Sequence, residues 1–155
     1  MRFKINLQID PARAGIVDRK TLRAAARAAL EHEAAPAPGA LTIVLADDGA
    51  LQRLNRDYLG HNQPTDVLSF PSSETDPETG ARYFGDIAIS FPRACAQAEA
   101  GSHPVTAEVQ LLVVHGVLHL LGHDHAKAKE KARMWAAQAE ILRQLKAPIT
   151  GPTGE

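Results

Sequence analysis

Four histidines fall within eleven residues, at His115, His119, His123 and His125. An α-helix turns about 100° per residue, so His115 and His119 stand ~40° apart on one face, one turn above the other. Imidazoles so placed can share a metal ion. Gly122 is suited to end that helix in a left-handed conformation, letting the chain fold back and offer His125 as a third nitrogen. Three histidines and a water form a catalytic zinc centre, whereas structural sites close with four protein ligands. The expectation is therefore one Zn2+ per chain, held by His115, His119 and His125. Imidazole also suits copper, nickel or iron, so spacing alone does not choose the metal. Ligation needs neutral histidines, and the ion should leave in acid.

The plain alternative is a pair of hydrogen-bonded core histidines. Two stacked imidazoles on a Val- and Leu-rich helix need more polar partners than such a core offers, which favours the metal. Gly116 costs the helix about 1 kcal/mol relative to alanine. It reads as close packing against a strand, as space beside the ion, or as both. The ligand spacing matches that of the metzincin metalloproteases. Those enzymes carry a glutamate directly after the first histidine as general base. Gly116 stands there, and no glutamate occurs from His115 to His125. Peptide hydrolysis is thus disfavoured.

HGVLHLLGHDH, from His115 to His125, resembles the signature of the YbeY family of metal-dependent endoribonucleases. PTDVLSFP, from Pro64 to Pro71, and GDIAIS, from Gly85 to Ser90, resemble two further blocks of that family, in the same order. The resemblance spans most of residues 41–125. It implies a zinc-dependent hydrolase cutting single-stranded RNA, in maturation of the small-subunit (16S) rRNA 3′ end and in ribosome quality control. The partners it implies are rRNA and the small ribosomal subunit, with neither DNA nor a membrane. The family's ligands fall on the same three histidines. His123 stands where a tyrosine is common, outside the ligand set. Leu59, after Tyr58, stands where the family usually has an arginine linked to activity; Arg56 is the nearest basic substitute. Two alternatives remain: a ribosome-associated metal-binding module without turnover, and a metallohydrolase acting on other substrates.

In the nuclease reading, the ion acidifies a water and polarises a phosphoryl oxygen, and water or the RNA 2′-hydroxyl attacks phosphorus. The general acid or base is unassigned, with His123 and Asp124 as candidates. Asp124 also suits orienting a neighbouring histidine or capping its loop. RNA would lie between the histidine helix and the loop from His61 to Asp66, touching Thr65, Asp66, Ser69 and Arg56. Ordinary capping and strand-end bonds compete for Thr65 and Ser69. Lys127, Lys129, Lys131 and Arg133 would extend the groove, making binding salt-sensitive. Aromatic residues are 5 % of the chain, so stacking is not expected to dominate affinity.

The elements that must position these groups follow from pattern. Phe3 to Ile9 alternates at period two and reads as a strand, as do Leu41–Leu45, Val67–Phe70 and Phe84–Ser90. Asp18 caps a helix to Leu30, and Asp47 or Asp48 caps another to about Tyr58. Pro71 stops the third strand, and residues 72–81 form an exposed loop. Helices over 92–100, 105–121 and 127–145 follow; the second is apolar nearly all round and therefore central. The result is one α+β domain over residues 1–146: a small mixed four-stranded sheet, about five helices, and a buried helix carrying the histidines. Residues 147–155 read as a flexible tail.

Composition agrees. The chain of 155 residues is 45 % hydrophobic and 23 % charged, as in a globular protein. Its longest apolar run falls short of the ~20 residues of a membrane span. The N-terminus has no apolar signal core, and Cys95 is the single cysteine, so a reducing cytoplasm fits. Net charge is −1, but residues 1–30 carry seven basic and two acidic side chains, and residues 126–155 six and three. Two basic ends around an acidic middle make a polyanion-binding rim if the fold joins them; otherwise they are solvated helix faces.

Overall fold

The alternating N-terminal segment forms β1 (Phe3–Ile9), followed by a short turn of helix at Pro11–Arg13. The computed structural model describes residues 2–13, 15–124 and 126–147. Asp18 accepts a hydrogen bond from the Lys20 amide at 3.1 Å and so starts α1 (Arg19–His32). After β2 (Gly39–Ala46), Asp47 does the same for α2 (Asp48–Leu59) through the Ala50 amide at 2.7 Å. β3 (Val67–Pro71) and β4 (Arg82–Ser90) complete the sheet. Three helices close the chain: α3 (Phe91–Gly101), α4 (Val105–Leu120) and α5 (Ala128–Gln144).

The strand order is β1-β2-β4-β3, with β3 alone antiparallel. Pro71 is the last residue of β3, paired with Gly85 rather than lying beyond the strand. An edge strand tolerates it because no neighbour needs its missing N–H. The expected mixed sheet, five α-helices and central histidine helix are all present. Residues 148–155 of the expected tail, and His125, lie outside the described residues.

Side chains alternate across β4, and the two faces meet different partners. Ile87 and Ile89 face the main core with α4, while Ala88 joins Leu51 of α2 and Leu68 of β3 on the other side. α4 packs on β3 and β4 with α1, α3 and α5 around it, and α1 also touches α5. The basic N-terminal helix and the basic last helix are therefore neighbours. Gly116 is where α4 comes closest to the sheet: a Cβ there would lie 2.7 Å from Ile87 Cγ2. Close packing on a strand is thus a sufficient reason for that glycine. No helix among the described residues is long and apolar enough to cross a membrane.

Candidate metal centre and cleft

Because α4 is buried on nearly every side, each polar side chain on it must find its partner inside the fold. His115 is 5 % exposed, and its Nδ1 lies 3.0 Å from Gln138 Oε1 on α5. Its Nε2 lies 3.2 Å from His119 Nε2, with the rings edge-on and their centroids 4.7 Å apart. The indole of Trp135 packs on His115 at 5.6 Å, and Lys131 Nζ sits 5.8 Å over that indole.

These residues fit a metal ion. An amide oxygen at Nδ1 accepts the ring proton, which leaves the lone pair of His115 on Nε2, the atom facing His119. Zinc–nitrogen bonds of about 2.0–2.1 Å in tetrahedral geometry separate two donors by ~3.3 Å. The observed 3.2 Å matches that separation. Among the described residues no third His, Cys, Asp or Glu completes a ligand set, and His125 is outside them.

Past α4, Gly122 takes φ +100°, and the His123 amide donates to Leu118 O at 2.9 Å. The chain does turn back there. His123 Nε2 meets Glu33 Oε1 at 2.5 Å, at the end of α1. Burial alone would raise the Glu33 carboxyl; the bonds to His123 and His32 outweigh it and hold that group below the usual range. His123 is thus committed to α1. Asp124 Oδ1 accepts from the Ala126 amide at 3.3 Å, a loop-capping bond.

The two α4 histidines line a cavity of about 300 Å3 together with Thr65, Asp66 and Ser69. Asn55, Leu59, His61, Gln63, Val67 and Leu68 complete the lining. Ser69 Oγ also donates to Gly116 O at 3.1 Å, tying β3 to α4. Arg56 is not part of this lining; it pairs with Asp57 at 2.9 Å on the exposed side of α2. Leu59, the residue after Tyr58, does line the cavity. Arg133 lies beside His123 and Asp124 in a separate, polar pocket.

Sequence reasoning missed the support behind these walls. Asp66 is buried and accepts from Gln97 Nε2 at 3.3 Å. The same amide reaches the fully buried Glu108 at 2.7 Å, and Glu108 meets His103 at 2.6 Å. A glutamate inside the apolar run of α4 was the available signal. For Gln138 the signal was its place on the stripe Met134, Gln138, Ile141, Leu142, all buried.

The chain is similar to known proteins over most of its length. The family model described as Endoribonuclease YbeY matches residues 9–146. A protein of that name from a Roseiflexus species is 42 % identical over 147 residues, covering 91 % of this chain and 92 % of its own. Another, from Chloroflexus aurantiacus, is 41 % identical over 155 residues, covering 96 % and 99 %. A Thermotoga maritima protein solved in solution superposes with a TM-score of 0.58 at 21 % identity, over 96 % of this chain and 94 % of that one. That likeness bears on the fold alone. With the family match running from the last residue of β1 to just past α5, this chain belongs to the YbeY family of endoribonucleases.

Proposed function

We propose that this chain cuts single-stranded RNA with the help of one zinc ion held by His115, His119 and His125. Its substrate in this reading is the 3′ end of small-subunit (16S) rRNA, met on the small ribosomal subunit in the cytoplasm, with a role in ribosome quality control. The observation that carries the proposal is the pair of Nε2 atoms 3.2 Å apart, on two histidines that line an open cavity. When bound, such an ion supplies Lewis acidity toward a phosphoryl oxygen and acidifies the attacking hydroxyl group.

The remaining work falls to the chain itself. Asp66 is the acidic residue that lines the cavity with both histidines, and in this reading it accepts the nucleophile's proton. Gln97 holds it there. Thr65 offers a hydroxyl to phosphate across the cleft. In this reading the basic side chains of the neighbouring helices α1 and α5 are what a polyanion would run along. A protease-type glutamate has no room: even a Cβ at position 116 would collide with Ile87.

The test offers zinc-loaded protein a single-stranded rRNA 3′-end fragment, the same sequence as a duplex, and casein. Cleavage of the single strand alone, lost on chelation and restored by zinc, is the expected result. Zinc uptake with RNA binding but no cutting supports a module without turnover, and casein cleavage supports a different hydrolase.

A further inference from the structure

The geometry points to Gln138 as a positioning residue for the metal centre: through Oε1 it fixes the tautomer and ring orientation of His115. The inference rests on the zinc site proposed for His115 and His119. α5 buries Met134, Gln138, Ile141 and Leu142 along one stripe, and three of the four are apolar. Gln138 is fully buried there, and its Nε2 finds no hydrogen-bond partner among the described residues. A leucine or methionine would fill the same stripe without stranding two buried N–H groups. What the amide adds is one acceptor at one place, 3.0 Å from His115 Nδ1.

That acceptor decides which ring nitrogen carries the proton. With Oε1 facing Nδ1, the proton stays on Nδ1 and the lone pair on Nε2 points toward His119. The reversed amide would donate to Nδ1 and force the proton onto Nε2, closing that atom to a metal. The stranded Nε2 of Gln138 is the counterpart of this choice. Trp135, three residues earlier on α5, packs on the same imidazole, so one helix sets both its tilt and its tautomer. An uncharged amide also orients the ligand without adding negative charge, so the ion keeps more of its Lewis acidity than a carboxylate partner would leave it.

The test uses the full chain and three forms: wild type, Gln138→Met and Gln138→Glu. Long-range proton–nitrogen NMR on the metal-free proteins reads the His115 tautomer, and a chelator-buffered titration reads zinc affinity. Wild type should carry the proton on Nδ1. Gln138→Met should show a mixture of tautomers and bind zinc about 10- to 100-fold more weakly. Its unfolding midpoint should change little, because removing the buried orphan amide offsets the loss of the acceptor at His115 Nδ1. Gln138→Glu should restore both the tautomer and the affinity. Unchanged tautomer and affinity in Gln138→Met would overturn the proposal, as would an Nε2 proton in wild type, which needs no variant to fold. Wild type protonated on Nδ1 that takes up no zinc would overturn the metal site itself, and the positioning role with it.

Discussion

Adding one methyl group at Gly116 should destabilise the protein although it improves the helix. Alanine is worth about 1 kcal/mol over glycine inside a helix. Against this, the new Cβ would sit 2.7 Å from Ile87 Cγ2 and 3.2 Å from Cγ1 and Cδ1. Comfortable carbon separations are ~3.5–4.0 Å, so the helix must rise by about 1 Å. Ile87 cannot give way easily. It is fully buried on a central strand, in register with Ile43 on one side and Ser69 on the other. The helix is held down by the bond from Ser69 to Gly116 O. Overpacking of this kind costs about 1–3 kcal/mol. The net expectation is a loss of up to ~2 kcal/mol once the ~1 kcal/mol helix gain is deducted. Urea unfolding in the presence of chelator measures it without a contribution from metal linkage. In an Ile87→Ala background the steric partner is gone, and the same Gly116→Ala change should become stabilising by ~1 kcal/mol or more. Stabilisation by Gly116→Ala in the wild-type background would refute the packing account, and so would the same sign in both.

Three further expectations concern charge and chemistry. Arg93 grips Asp48 through two bonds of 2.9 Å and holds its carboxyl below the usual range, against the opposing effect of burial. That folded-state depression contributes stability above the ordinary aspartate range, and the contribution is lost as pH falls through the lowered value. Asp48→Asn should therefore cost no more than ~1 kcal/mol at neutral pH, and the gap to wild type should close in acid, as read by urea midpoints across pH. Asp66→Asn should lower RNA cleavage by about 10²- to 10⁴-fold while zinc stoichiometry, read by elemental analysis, is unchanged. Replacing Lys129, Lys131 and Arg133 by glutamine should weaken single-stranded RNA binding and flatten its salt dependence. The log–log slope should drop by ~0.7 for each phosphate that is no longer neutralised.

The parts of the fold that rest on local periodicity were legible in the chain. α4 could be placed because its apolar run ends at Gly122, and the stacking of His115 over His119 follows from helix geometry. The first strand was readable from alternation and the others from short apolar runs; β2 and β4 extend one or two residues further than those runs, and β3 includes Pro71 because the edge position spares it a hydrogen bond. What periodicity could not show is which distant elements meet. Gln138 reaches His115 across 23 residues, and Gln97 reaches Asp66 across 31. His123, one of the candidates for general acid or base, meets Glu33 across 90 residues through Nε2. Arg56 sits near the cleft-forming loop in sequence, yet it turns to Asp57. Apart from Arg56, whose partner is its own chain neighbour on α2, each of these depends on tertiary packing that brings a polar partner from another element.

The central claim is that an ion on the α4 histidines performs the RNA cleavage. The most direct measurement compares single-turnover cutting of a single-stranded rRNA 3′-end fragment by zinc-loaded wild type and by His119→Ala, purified identically. The account predicts that cutting disappears in His119→Ala while its unfolding transition stays cooperative. Equal rates from both proteins would contradict it.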